Sequence, residues 1–105
     1  MKSTRKKHLP IPPAAMRDSN SREMIRAWVA QKGLHCSLNV GMWHNDGRDE
    51  PGAWGILLAD VVRHVANALK ESKGLSKVET IEKIEESFIR ELRRPTSPHK
   101  GKFVS

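Results

Sequence analysis

MIRAWVAQKGLHCSLNVGMW, residues 24–43, holds two apolar runs on either side of Lys32 and Gly33, and the way they pair decides the fold. From Leu34 to Trp43 the residue types alternate. Leu34, Cys36, Leu38, Val40 and Met42 share one face, and His35, Ser37, Asn39, Gly41 and Trp43 share the other, the period of two expected of a half-buried strand. The preceding MIRAWVA is rich in β-branched and aromatic residues and reads as the partner strand of a β-hairpin. An even loop at Lys32-Gly33 pairs Val29 with Cys36, Ala27 with Leu38 and Ile25 with Val40, which keeps one face wholly apolar. A three-residue loop with a bulge at Gly33 would set Arg26 opposite Leu38 instead, so the even loop is preferred. The second face then carries Met24, Trp28 and Trp43 beside Arg26, His35 and Asn39, too apolar to face only water.

Downstream, HNDGRDEPG reads as a loop, and Asp49-Glu50-Pro51 opens a helix with negative charge and a first-turn proline. Its apolar stripe is Trp54, Leu57, Leu58, Val61, Val65, Ala68 and Leu69, running to about Ser72 with Gly74 as its stop. Ser76-Lys77-Val78-Glu79 is a capping box for a second helix whose face is Val78, Ile81, Ile84, Phe88, Ile89 and Leu92, ended by Pro95. Upstream, the prolines of LPIPP dictate an extended segment able to lie along a sheet edge. The order strand, strand, helix, helix predicts an α+β fold in two layers. An antiparallel hairpin, with this N-terminal segment as a possible third edge, packs on two helices. The domain spans 9–94, between disordered basic tails at 1–8 and 95–105.

Charge also divides between the expected tails and the body. The chain of 105 residues has formal net charge +7, but Lys2, Arg5, Lys6, Lys7, Arg93, Arg94, Lys100 and Lys102 lie at its ends. Setting them aside leaves 11 basic residues against 12 acidic ones, so the body is nearly neutral. Basic ends bind polyanions weakly and in a salt-dependent way, whereas a nucleic-acid module shows a basic face on the folded domain. One cysteine excludes an intramolecular disulfide, no apolar run suits a membrane span, and the proline-rich LPIPPAA does not suit a signal peptide. A cytoplasmic protein without membrane association is the expectation.

Two histidines lie close to the lone cysteine, which raises the question of a metal site. The pleat sends His35 and Cys36 to opposite faces, and His44 lies eight residues beyond Cys36, roughly 26 Å along a strand rising about 3.3 Å per residue. Zinc needs donors converging at about 2.0 to 2.3 Å, so no metal site is assigned and Cys36 is read as a small core residue. Asp60 and His64, four apart on the first helix, have the spacing at which a carboxylate orients an imidazole. No nucleophile adjoins them in sequence, and a polar edge or interface is the plainer reading. Glu85 falls within the apolar arc of the second helix. It is either a functional acid with a raised pKa or a rim residue pairing with a basic group of the sheet or of a second subunit. Neither GxGxxG nor GxxxxGK[ST] occurs, and no catalytic or cofactor residue is assigned.

The runs MIRAWVAQKGLHCSL and AWGILLADVVRHVANAL, with the closing ELRRPT, resemble a small bacterial family described only as a domain of unknown function. The resemblance covers about residues 9–96, with WGILLADVVRHVA its most specific part. It implies a small α+β domain in a bacterial cytoplasm and no particular activity. Physical reasoning adds a homodimerising or protein-interaction module, since a short sheet with an open edge and an apolar second face needs a partner. Its candidate interface is Met24, Trp28, His35, Trp43, Asp60 and His64. Two alternatives stand beside it: an accessory protein holding nucleic acid through the basic tails, and a small enzyme using Asp60 and His64.

Overall fold

The hairpin forms where the two apolar runs predict it. The computed structural model describes residues 7–96 and 103–105, with β1 (Ile25–Ala30) and β2 (Gly33–Leu38) antiparallel. The turn is Gln31-Lys32, one residue earlier than expected, and Gly33 begins β2. Both turn residues have positive φ, 50° and 62°. That backbone twist matches the strands on either side of a two-residue hairpin loop. Val29 therefore pairs with Leu34, Ala27 with Cys36 and Ile25 with Leu38, while Trp28 pairs with His35. The expected partners are displaced by two residues, a shift that preserves which side chains share a face.

The second strand ends sooner than its alternation suggests. Gly41, at φ 97°, turns the chain, and Met42 and Trp43 enter a short helix, α2 (Met42–Asn45). Trp43 is accordingly not on the sheet. The proline-rich segment before the hairpin makes no ladder with β1 but leads into the helical turn α1 (Pro13–Arg17), so the expected third edge is absent there. A third strand comes from the other end. β3 (Phe103–Val104) pairs in parallel with β2, Cys36 facing Phe103 and Ser37 facing Val104 in register. The presumed C-terminal tail thus contributes an element, while residues 1–6 and 97–102 of the two expected tails lie outside the described residues.

The helices follow their sequence signals closely. In α3 (Glu50–Lys73), the Asp49 carboxylate accepts from the Gly52 N–H, and Gly74 closes the helix in the left-handed conformation at φ 71°. In α4 (Lys77–Arg93), Ser76 Oγ accepts from the Glu79 N–H at 3.2 Å. The two lie side by side, and burial concentrates on Ala66 of α3 and Thr80 of α4, with Val62, Leu69 and Ile84 half-buried. Thr80 and Ile84 lie at one margin of the α4 apolar arc. Its centre, Ile81, Phe88, Ile89 and Leu92, stays exposed.

The α+β class holds, but the expected stacking of hairpin on helices does not occur within one chain. No Cα of β1 or β2 comes within 8 Å of one in α3 or α4. The radius of gyration is 16.3 Å, against roughly 13 Å for a compact chain of this length. Val29, in the middle of the apolar sheet face, is 87% exposed. The cause lies in the connector between hairpin and helices, whose geometry also places the candidate residues.

Candidate functional site

Glu50 organises the connector. Its carboxylate accepts from the backbone N–H of Gly41 at 3.0 Å, the N–H of His44 at 2.9 Å and Trp54 Nε1 at 2.8 Å. The Gly41 bond is the main reason its carboxyl group is held below the usual value of 4.5, with Trp54, His44 and Trp43 acting in the same direction against desolvation. α2 is thereby fastened to the first turns of α3. Trp43 stacks edge to face on Trp54, the ring centroids 5.7 Å apart and the planes at 87°. The chain leaving β2 is consequently fixed in a direction that carries the hairpin away from α3 and α4.

The six candidate interface residues separate into two groups. Met24, Trp28 and His35 occupy the second face of the hairpin, as the alternation requires. Asn39 N–H donates to the Met24 carbonyl at 3.0 Å, extending the ladder by one pair, and the Asn39 amide approaches Met24 Sδ at 3.7 Å. Beside this face a cleft of about 740 Å³ separates the N-terminal segment from β1, with Leu9, Ile11, Met16 and Trp28 among its walls. Arg26, also on that face, is held by two bonds of 3.1 Å to the Glu23 carboxylate.

Trp43, Asp60 and His64 form the second group. They surround a shallow depression of about 430 Å³ with Ile56, Leu57 and Val61. Only the helix brings Asp60 and His64 together. The Asp60 carboxylate accepts from Arg63 at 3.2 Å rather than orienting the imidazole, so a general-base pair is not assembled. His35 and Cys36 are on opposite faces of β2, opposite Trp28 and Ala27 respectively. Glu85 is exposed within the open arc of α4 and has no ionic partner among the described residues.

Two carboxylates matter more than their sequence context suggests. Glu50 reads as a helix-dipole charge, yet Trp54 four residues on lies one turn above it, the spacing at which an indole N–H can reach a carboxylate. Glu91 accepts from the Thr96 N–H at 2.8 Å and Thr96 Oγ1 at 2.6 Å, bonds that hold its carboxyl group below the usual 4.5. It ties Thr96 back to the last turn of α4. Neither lines the cleft or the depression described above, and each carboxylate acts as an acceptor that ties neighbouring segments together.

What this arrangement presents is surface: an apolar sheet face, an apolar helix face and a Trp-lined depression, on a small α+β scaffold. The chain belongs to the family described as Domain of unknown function (DUF5076), whose model matches residues 8–96. No curated protein matches it. Among solved structures it is similar to one described as "Structure of a putative pyruvate dehydrogenase from the photosynthetic bacterium Rhodopseudomonas palustrus CGA009". That likeness has 29% identity and a TM-score of 0.68, covering 98% of this chain and 100% of the other. No helix among the described residues is long and apolar enough to cross a membrane.

Proposed function

We propose that the protein is a homodimerising module, a single chain of which is only part of the folded unit. The observation that carries this is area. The chain exposes 9737 Å², whereas a folded monomer of 11.9 kDa exposes about 5,900 Å². The excess of roughly 3,800 Å², which includes the exposed segment before the hairpin, is large enough to hold the 1,000 to 2,500 Å² or more that each partner of an obligate dimer buries. The excess includes large apolar side chains that a soluble monomer would not leave open together, among them Val29, Leu34, Phe88, Ile89 and Leu92. Size-exclusion chromatography with light scattering tests the reading. The expected mass is twice that of the chain throughout the micromolar range, and a monomer at every concentration refutes it.

A second property, compatible with the first, is weak polyanion binding through the basic ends. It rests on the division of charge along the sequence, which leaves the body nearly neutral. Replacing Lys2, Arg5, Lys6, Lys7, Arg93, Arg94, Lys100 and Lys102 with glutamine abolishes retention on a polyanion column, and retention that survives the replacement would point to the folded body instead. No catalytic role is drawn from Asp60 and His64, because Asp60 is engaged by Arg63.

A further inference from the structure

We infer that the dimer is an exchanged one, in which the hairpin of each copy lies on the α3–α4 pair of the other and so rebuilds between chains the two-layer core that one chain lacks. This rests on the dimer reading and specifies its geometry. Three observations carry it.

First, the uncovered faces are of complementary kinds. The sheet offers Ile25, Val29, Leu34 and Cys36 on one face, with Val29 87% and Leu34 55% exposed. α4 offers Ile81, Phe88, Ile89 and Leu92. A sheet with one apolar face and a helix with one apolar stripe satisfy each other as adjacent layers. Second, the chain does not bring its own two faces together. Turning the connector back would work against the bonds from Gly41 and His44 to Glu50 and the stacking of Trp43 on Trp54, which fasten it to the first turns of α3. Third, two-fold symmetry favours exchange. A contact of sheet with sheet would have to straddle the axis, as would a contact of helix with helix. The two surfaces are separate, with no Cα of β1 or β2 within 8 Å of one in α3 or α4, so an axis through one of them leaves the other open. When the hairpin of one copy meets the helices of the second, the same axis generates the reciprocal contact and covers all four faces.

Disulfide trapping tests the geometry, since Cys36 is the chain's one cysteine and lies on the apolar sheet face. A Cys36→Ser chain carrying one new thiol, at Ile81→Cys, Phe88→Cys, Ile89→Cys or Leu92→Cys in turn, is mixed with unaltered chain, exchanged and oxidised. A disulfide forms only where Cα atoms come within about 4.4 to 6.8 Å, so the four positions sample the length of α4. The expected product is a covalent heterodimer at one or more positions, with peptide mapping joining Cys36 to the α4 peptide of the other chain. Three outcomes overturn the exchange: Cys36 joined to Cys36 in the unaltered protein, the new thiols joined to each other, or no cross-link at any position. Placing the new thiol in a chain that keeps Cys36 adds a fourth, a disulfide closed within one chain. For protein without substitutions, isotope-filtered NOEs in a mixed-label dimer should connect Val29 or Leu34 methyls to Phe88 of the other copy, and their absence counts against exchange. Each of these results is distinct from failure of the dimer reading itself, which light scattering of the unaltered protein reports.

Discussion

The Glu50 carboxylate accepts three hydrogen bonds from three different parts of the chain: the Gly41 turn, the start of α2 and the Trp54 indole. Replacing it with alanine leaves those donors to water and releases Trp43 from Trp54. Glu50→Ala is expected to lower Tm and to weaken the near-ultraviolet circular dichroism of the coupled tryptophans, while the α3 helical signal persists. The effect depends on pH with a definite sign. Because the folded-state pKa lies below the ordinary 4.5, Glu50 stabilises fully above that value and loses its contribution as pH falls through the lower, folded one. The alanine variant should therefore show a smaller drop in Tm than the unaltered protein between pH 5 and the acid limb, and equal drops would contradict the clamp. Sequence reading placed Glu50 at a helix start but not as the acceptor for Gly41 and His44. Those donors are backbone groups, and no residue type announces where a distant N–H will point.

At the scale of elements, helices were legible because their signals are local. Asp49, Gly74 and Ser76 act within a turn of themselves, and each stands where its chemistry requires. The hairpin was legible in its faces and not in its register. A two-residue shift preserves every side chain's face, so hydrophobic alternation cannot detect it. Only the turn distinguishes the two, and Gln31-Lys32 lacks the Asn-Gly pattern that usually marks such a turn. The alternation from Leu34 to Trp43 misleads for a different reason: it continues past Leu38 by coincidence, while Gly41 at φ 97° and the Trp43–Trp54 stack pull the chain off the sheet. Lys32, at φ 62°, occupies a conformation that favours glycine. Lys32→Gly is expected to stabilise the hairpin by about 1 kcal/mol, read as a Tm increase of roughly 4–8 °C for a domain of this size. An unchanged or lower Tm would mean that the turn does not carry this strain.

For the whole molecule, the sequence supplied the two layers but not which chain supplies each. Apolar patterning says that the face of Ile25, Val29 and Leu34 needs a cover, and likewise the arc of α4. It is silent about the connector, whose direction is set by bonds to Glu50, and so about whether the cover comes from within the chain. This has a measurable consequence at Val29. In a monomer, a side chain 87% exposed tolerates substitution, and surface changes of that kind usually fall within about 0.5 kcal/mol. In a dimer whose hairpin is covered by the second copy, a charge at the same place is buried and unpaired. Val29→Glu should thus shift the protein to the monomer mass by light scattering and lower its Tm well beyond a surface effect. The unaltered protein should show a Tm that rises with concentration, because its unfolding is linked to dissociation, and the variant should lose that dependence. A Val29→Glu protein that remains dimeric, with the same concentration-dependent Tm, would place the dimer contact away from the sheet face and refute the assembly argued above.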